Sequence, residues 1–448
     1  MQRALDALSK ATLGTPFEGA LWVVGGAVRD ALLGQCAPVD LDLVTELSAV
    51  ELADFLHAQG VSSIHPVTYP RFGTALVRVE DTNVEIVTAR SESYAPESRK
   101  PDVRPATLEE DARRRDFTVN TLLRNVHSGE LRDPLGTGLA DLDAKLLRTP
   151  LDPAETFRDD PLRMLRTVRF RWQLGFQPVE GLYDTIRSER HRLAIVSAER
   201  VRDEFVRMLG FEDADRCLAD LMDLGLFDER APEFTAMRGV EQGSYHHLDV
   251  WDHTLLVVKN IGTGDLVLRL AALLHDVGKP PTRFIDAQGA TRFFGHETVG
   301  ADMAEALLRR FKFSNEQIAP VVRLVKNHMR LGSAPTLTRP AARRIWRDLG
   351  EETPRLLDLV EADASALKPG VRVLEVGSIR AFLENVRAEI PPERLKSPLD
   401  GDAVMELLGL EPGPEVGRWL RVLQEAVLDG HLDPDDEERA KRLLLEAD

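Results

Sequence analysis

Disulfide chemistry, a membrane span and a surplus of positive charge are what this chain has least of. Its 448 residues hold two cysteines, Cys36 and Cys217, too few for a framework of cross-links and in keeping with a reducing cytosol. No apolar run reaches the roughly 18 residues a membrane helix needs. The opening MQRALDALSK lacks the basic-then-apolar order of a secretory leader, so a cytoplasmic protein with no membrane partner is expected. Lys and Arg number 57 against 74 Asp and Glu, a net charge of −17. Phosphate binding needs local positive potential, which excludes a uniformly basic nucleic-acid binder and leaves only a local basic face. Arginines offer one: Arg113, Arg114 and Arg115 form a cluster, and Arg158, Arg163, Arg166, Arg169 and Arg171 another. Acid gathers elsewhere, as in DPDDEER near the end of the chain.

The length is too great for one core and suggests three or so units. To about residue 140 the chain mixes strand and helix signals. LWVV (21–24) predicts a buried strand broken by Gly25-Gly26, AVRDALLG a helix ended by Gly34, and VDLDLVT a second strand. ELADFLHAQG predicts a helix closed by Gly60; TALVRVE and NVEIVTA predict a hairpin turning at Asp81-Thr82-Asn83. From about 141 strand signals nearly vanish: LDAKLL, PLRMLRTVRFRWQLG, AERVRDEFVRMLG and CLADLMDLGLF all have helical spacing. Histidines become frequent after about 236. There is no internal repeat and no low-complexity segment.

Asp40 and Asp42 are the sharpest chemical signal. In a strand, side chains at i and i+2 share a face, so Leu41 and Leu43 point the other way, into a core. Two adjacent carboxylates with no basic neighbour in their strand repel each other, unless they grip a hard cation such as Mg²⁺. Metal ions held so can activate a hydroxyl and stabilise a leaving pyrophosphate. A solvated strand end bearing two acids is the bland alternative. The Gly25-Gly26 turn shifts the balance, because glycine lets backbone approach a ligand and a helix start favours phosphate. Arg29 adds a fork for a triphosphate.

With these residues in place, VVGGAVRDALLG…VDLDLVT resembles the signature of the class II tRNA nucleotidyltransferase and bacterial poly(A) polymerase family, within the polymerase-beta-like nucleotidyltransferases. RFGTALV, SRKP, RRDFTVN, DPLGTGLADL, DDPLRMLRTVRF and SAERVRDE follow in order, so the resemblance covers roughly residues 20–210. It implies that Asp40 and Asp42 are the Mg²⁺ ligands and that Glu85, in NVEIVT, is a third carboxylate. It also implies that Arg115, Asp116 and Asn120 bind ribose and phosphates. Asp116 as a simple helix N-cap is the alternative.

DDPLRMLRTVRFRWQLGF starts a helix, with Asp159 or Asp160 as cap and Pro161 in the first turn. Asp160 and Arg163 share a face three apart, and together present the acceptors and donors that read a base edge. The resemblance assigns this pair to selection of CTP and ATP without a nucleic-acid template, with Arg166 one turn further on toward the triphosphate. A plain surface ion pair is the other reading of that spacing. Asp159 stands where many relatives carry Glu.

The second half carries His253, the His275-Asp276 doublet, His296, His328 and Asp363. LAALLHDVGK is an apolar helix ending in His-Asp, and adjacent His and Asp in such a place call for a metal or a polar network. The order H…HD…H…H…D resembles an HD-family phosphohydrolase site, whose mixed ligands suit Mn²⁺, Ni²⁺, Fe or Mg²⁺. His246 and His247 are expected to be structural or to support the ligands from behind, and Lys279 to contact phosphate.

The expected architecture is α+β: a nucleotidyltransferase head (1–140) of mixed sheet and helices, a helical neck and body (141–235), an HD unit (236–370) and a helical tail (371–448). The expected function is template-independent addition of C, A or both to the tRNA 3′ end from CTP and ATP. Poly(A) polymerase is a close rival. A phosphohydrolase with a nucleotide-binding front half and a non-catalytic RNA binder are rivals from other classes. The segment 89–112, ARSESYAPESRKPDVRPATLEEDA, leaves open which nucleotides are added.

Overall fold

The computed structural model describes residues 1–447 apart from 36–39, 94–101, 244–245, 332–336 and 371–374. SRKP therefore lies outside the described residues. The chain divides into two compact units, Met1–Arg230 and Ala231–Asp448.

The first unit opens with helix α1 (Gln2–Thr12), then strand β1 (Trp22–Val24), α2 (Gly26–Leu32), β2 (Leu41–Thr45) and α3 (Ala49–Ala58). Strands β3 (Val67–Tyr69), β4 (Thr74–Val79) and β5 (Thr82–Thr88) follow, then a separate hairpin of β6 (Arg90–Ser93) and β7 (Asp102–Pro105). After α4 (Leu108–Arg113), β8 (Leu123–Asn125) and β9 (Leu131–Arg132) complete a seven-stranded sheet in the order β3-β4-β5-β2-β1-β8-β9. Only β2 and β5 run parallel within it; their register sets Leu41 opposite Val84 and Asp42 opposite Glu85. The alternation expected of VDLDLVT holds: Leu41 and Leu43 are fully buried and Asp42 is exposed. Asp40 stands just ahead of the strand. Helix α3 packs on β4 and β5 and buries Leu52, Ala53 and Leu56, each leucine contributing roughly 1.5–3 kcal/mol of apolar burial. This packing holds one sheet face and leaves the carboxylate face open. The β4–β5 turn falls at Glu80-Asp81 and begins one residue earlier than expected, because Glu80 takes the left-handed conformation (φ 52°) and Thr82 already pairs with Val79.

The rest of the unit is helical: α5 (Gly138–Asp143), α6 (Pro153–Asp159), α7 (Leu162–Leu174), α8 (Leu182–Glu189), α9 (Ala198–Leu209) and α10 (Ala214–Asp223), with α7 packed on α9 and α10. LDAKLL departs from the expected helix. Lys145 is left-handed (φ 55°), and Leu146–Leu147 pair in parallel with Gln177–Pro178.

In the second unit α11 (Pro232–Thr235), α12 (Val250–Ile261), α13 (Leu266–Leu274), α14 (Lys279–Thr282), α15 (His296–Arg310) and α16 (Asn315–Asn327) lead to α17 (Arg339–Leu349) and α18 (Thr353–Ser365). Helix α12 packs on α13 and α18, and α13 on α16. The remaining helices are α19 (Val376–Glu389), α20 (Gly401–Leu408), α21 (Pro414–Asp429) and α22 (Glu437–Ala447); α20–α22 bury a core of their own around Trp419, Leu423 and Leu444. No helix of the described residues is long and apolar enough to cross a membrane.

Candidate active site and metal centre

On the head sheet, parallel pairing puts Glu85 beside Asp42 on the same face. Asn83, two residues back on β5, donates to Asp40 Oδ1 at 3.3 Å. Crowding by protein raises the Asp42 carboxyl above its ordinary pKa; Arg115 opposes that and Asp40 adds to it. Burial, then the charge of Asp42, raises Glu85 as well. This face of carboxylate oxygens, held above their ordinary pKa despite Arg115, fits a hard divalent cation.

Gly25 meets that face. Its φ of 76° with ψ −140° is closed to most side chains, and a Cβ there would stand 3.6 Å from Asp42 Oδ2 and 4.0 Å from Arg115 Nη1. The glycine turn, Asp42 and Arg115 thus converge. Arg115 is aimed by Asp111, a buried carboxylate that accepts from Arg114 (2.7 Å) and Arg115 (2.9 Å). Burial works to raise Asp111, but the two guanidinium groups hold it below its ordinary value. Sequence reasoning missed Asp111, although its spacing four before Arg115 on a helix was a usable signal.

Behind the turn runs a buried network. Arg29 is 3% exposed and donates to Asp30 Oδ1 (2.7 Å) and Asn120 Oδ1 (2.6 Å). The Asn120 amide donates to Asp116 Oδ1 at 2.9 Å, the Phe117 N–H to the same oxygen at 2.8 Å, and Arg166 to Asp116 Oδ2 at 2.5 Å. Arg166 and Arg169 both reach Glu204. Arg29, expected to add a fork for a triphosphate, has its guanidinium buried beside the turn, bonded to these neighbours and over the Phe170 ring. Asp116 is no helix cap either: only a short 3-10 turn, Thr118–Asn120, follows it, and the residue in the cap position there is Phe117. Burial pushes the Asp116 carboxyl up, but Arg166 and Asn120 outweigh it and hold it well below the carboxylate range. Glu204 lies in SAERVRDE, and its buried position is a tertiary fact.

Asp160 and Arg163 do not pair with each other. Asp160 sits in the break between α6 and α7 and accepts from Arg200 Nη2 at 2.7 Å and from the Leu162 N–H at 3.2 Å. Arg163 donates to the main-chain carbonyls of Thr156 (3.1 Å) and Arg114. The plain i,i+3 ion pair is thereby excluded, and both groups stand near Arg166 and Asp116.

In the second unit the fold gathers all six expected ligands. His253 comes from α12, His275 and Asp276 from the end of α13, His296 from the start of α15, His328 from the end of α16 and Asp363 from α18. They form two sets, His253–His275–Asp363 and Asp276–His296–His328, each with donor atoms within 4.8 Å of one another. Asp276 faces both: Oδ2 lies 3.1 Å from His275 Nε2, and Oδ1 lies 3.5 Å from His296 Nε2 and 3.8 Å from His328 Nε2. His253 Nε2 lies 2.9 Å from Asp363 Oδ1.

The tautomers decide what this cluster can hold. His275, His296 and His328 each set Nδ1 2.7 Å from a main-chain carbonyl, of Ala272, Phe293 and Val325. A carbonyl only accepts, so each ring donates there and turns Nε2 inward. His296 and His328 then bring two Nε2 atoms to 3.2 Å, a pair of lone pairs that a shared cation, or a proton on one ring, satisfies. Nitrogen and carboxylate donors together suit a divalent transition metal or Mg²⁺. Burial and then His275 lower His328 to about 4, so it stays neutral and ready to ligate at pH 7. Gly278 allows the assembly: a Cβ there would lie 2.2 Å from the His296 carbonyl oxygen and 2.6 Å from the Gly300 nitrogen. Lys279, expected to meet phosphate, is buried and donates to Asp276 Oδ2 and to Gln242, both at 2.6 Å. His246 stacks edge-on at 4.8 Å against the His253 ring, consistent with a supporting place.

Residues 21–148 match the family described as Poly A polymerase head domain. Residues 175–238 match the probable RNA and SrmB-binding site of polymerase A, and 243–367 the HD domain. The A-adding tRNA nucleotidyltransferase of Deinococcus radiodurans is 35% identical over 443 residues, covering 95% of each chain. The CC-adding tRNA nucleotidyltransferase of Thermus thermophilus is 36% identical, over 93% of this chain and 92% of that one. This chain belongs to the tRNA nucleotidyltransferase family. The nucleotidyltransferase also shares its fold with the Bacillus stearothermophilus CCA-adding enzyme in complex with CTP, at a TM-score of 0.69 and 24% identity over 100% of this chain and 97% of that one. The Thermotoga maritima CCA-adding enzyme complexed with tRNA gives 0.59 and 19% over 100% and 95%. The nucleotidyltransferase is thus an enzyme of α+β architecture, a mixed-sheet head followed by helices.

Proposed function

We propose that this nucleotidyltransferase adds C, A or both to the 3′ end of tRNA, taking them from CTP or ATP and releasing pyrophosphate. The observation that carries the reading is the carboxylate face of Asp40, Asp42 and Glu85 set against the Gly25 turn and Arg115. Mg²⁺, when held by Asp40 and Asp42, supplies charge neutralisation at the reacting phosphate and lowers the pKa of the attacking 3′-hydroxyl. The chain's own groups do the rest. Gly25 and Gly26 let the backbone approach the triphosphate, Arg115 faces it, and the Asp116–Asn120–Arg29 network holds the turn in shape. Glu85, raised above its ordinary pKa, is placed to share the metal or accept the hydroxyl proton. Asp160 and Arg163 read the base edge, and Arg166 links that reader to the phosphate side.

The parts expected from sequence fit this division of labour: a catalytic head over 1–140, a neck and body over 141–235 that selects nucleotide and holds RNA, an HD unit over 236–370 and a helical tail over 371–448. The buried free thiol of Cys217 suits work in the cytoplasm. The test uses tRNA transcripts ending at the discriminator base, after one C and after both C residues, each with Mg²⁺ and labelled CTP or ATP in separate tubes. Incorporation on at least one of them is expected, and the pattern tells full CCA addition from C-only or A-only addition. Long runs of A would turn the reading toward poly(A) polymerase; no incorporation on any transcript would overturn it.

The six-ligand centre supports a second activity of the same chain, hydrolysis of a phosphoester. His253, His275, Asp276, His296, His328 and Asp363 would hold a divalent metal, which would supply a water of lowered pKa, while the carbonyl anchors of His275, His296 and His328 keep their Nε2 atoms turned inward.

A further inference from the structure

We infer that Arg200 is a specificity-determining positioning residue, fixing the Asp160 carboxylate so that this side chain can discriminate between nucleobases. The inference rests on the base-reading role proposed above for Asp160 and Arg163. A reader of base edges must hold both position and plane. Asp160 has extended backbone (φ −137°, ψ 98°) in the break between two helices, where helix geometry does not fix its side chain. Arg200, from the first turn of α9, closes a fork on it: Nη2 lies 2.7 Å from Oδ2 and Nη1 3.3 Å from Oδ1. A two-point guanidinium–carboxylate contact sets the plane of the carboxylate, which a single contact leaves free to turn. The Leu162 N–H adds a third donor at 3.2 Å to Oδ1. Oδ1 takes two of these donors and Oδ2 one, so Oδ2 keeps a lone pair for a ligand. The Asp160 side chain is 20% and that of Arg200 42% exposed, so a base can reach the carboxylate.

Arg163 is braced separately, by main-chain carbonyls. Reader and partner thus have independent supports, and no bond between them must break before a base docks. A carboxylate accepts the exocyclic amino donor of cytosine or adenine and opposes the carbonyl oxygen that uracil or guanine presents instead. That discrimination depends on where the lone pairs point. Without Arg200 only the Leu162 N–H orients Asp160, and the carboxylate can turn away from an opposing carbonyl.

The test measures kcat and KM for each of the four nucleoside triphosphates on the tRNA transcript the full chain extends. Wild type is compared with Arg200→Ala, Arg200→Lys, Arg200→Gln, Asp160→Ala and the Asp160→Ala/Arg200→Ala double variant. Arg200→Ala is expected to lower the preference for the favoured nucleotide over UTP and GTP by about 10-fold, through KM more than kcat. Lys, with one contact, falls between. Gln keeps the side-chain stem, so a loss shared by Ala and Gln is not a folding defect. In the Asp160→Ala background the second change should add nothing. Wild-type preference in Arg200→Ala and Arg200→Gln, with preference lost in Asp160→Ala, would overturn the role of Arg200 and leave the base reader standing. Additive losses in the double variant would overturn it too. Preference retained in Asp160→Ala would sink the base-reading role itself.

Discussion

The ion pair between Asp116 and Arg166 allows a sharp test of how the RRDFTVN segment works. Arg166→Ala strands Asp116, a buried carboxylate, with only the Phe117 N–H and the Asn120 amide as donors. An uncompensated buried charge of this kind costs on the order of 3–5 kcal/mol. Asp116→Asn moves the stranded charge to Arg166, whose side chain is 29% exposed and keeps Glu204 at 3.4 Å. An asparagine still accepts the Phe117 N–H, so the loss is that of a charged hydrogen bond, about 1.5–3 kcal/mol. Arg166→Ala is therefore the more damaging change, although it removes the more exposed partner. Urea unfolding of the full chain at pH 7, followed by circular dichroism, measures both. With a slope near 3 kcal/mol/M, a loss of 3 kcal/mol moves the first unit's midpoint by about 1 M. The double variant should lose less than the sum.

Acid provides a second reading of the same pair. The folded Asp116 carboxyl lies below its ordinary 3.8. Its stabilisation is complete above that unfolded value and fades as pH falls through it toward the folded one. The gap between wild type and Asp116→Asn should therefore narrow below about pH 4. An Asp116→Asn penalty equal to or above that of Arg166→Ala, or strict additivity, would refute this account. It would mean that Asp116 is not held by Arg166 and is free to meet a ligand.

Asp42→Ala is expected to abolish nucleotide addition while phosphoester hydrolysis at the HD centre continues; loss of both in parallel assays would mean one shared site. Asp276→Asn should do the reverse, and elemental analysis after metal loading should show less bound metal than wild type. Because the folded pKa values of Asp42 and Glu85 are raised, their ionisation opposes folding above the ordinary values and not below them. Asp42→Asn and Glu85→Gln should therefore raise the melting temperature in EDTA at pH 7 and lose the gain that Mg²⁺ gives wild type; unchanged melting in EDTA would contradict the crowding. Gly25→Ala should destabilise the head by about 1–3 kcal/mol, from its backbone conformation, and depress nucleotide addition. Thermal melting together with the incorporation assay would show a wild-type alanine variant if the turn tolerated a side chain.

Period-two alternation made β2 and the outward carboxylate of Asp42 legible from sequence alone, because one strand suffices to send Leu41 and Leu43 one way and Asp42 the other. The same holds for the HD doublet at the end of an apolar helix. Local spacing could not say that Glu85 would pair with Asp42, since that depends on a parallel register between strands 43 residues apart. It could not foresee that Arg29 turns inward, that Asp111 aims Arg115, or that Asp160 answers to Arg200 rather than to Arg163. Nor could spacing divide six ligands into two sets around Asp276. Helical and strand periods fix where a side chain leaves its own element; which partner it then meets is settled by how elements pack, and long arginines have many partners within reach. Composition and short-range pattern thus determined which residues carry charge and which face they leave from, while the tertiary structure alone decided which charges neutralise one another and which are left facing one another without a counter-charge.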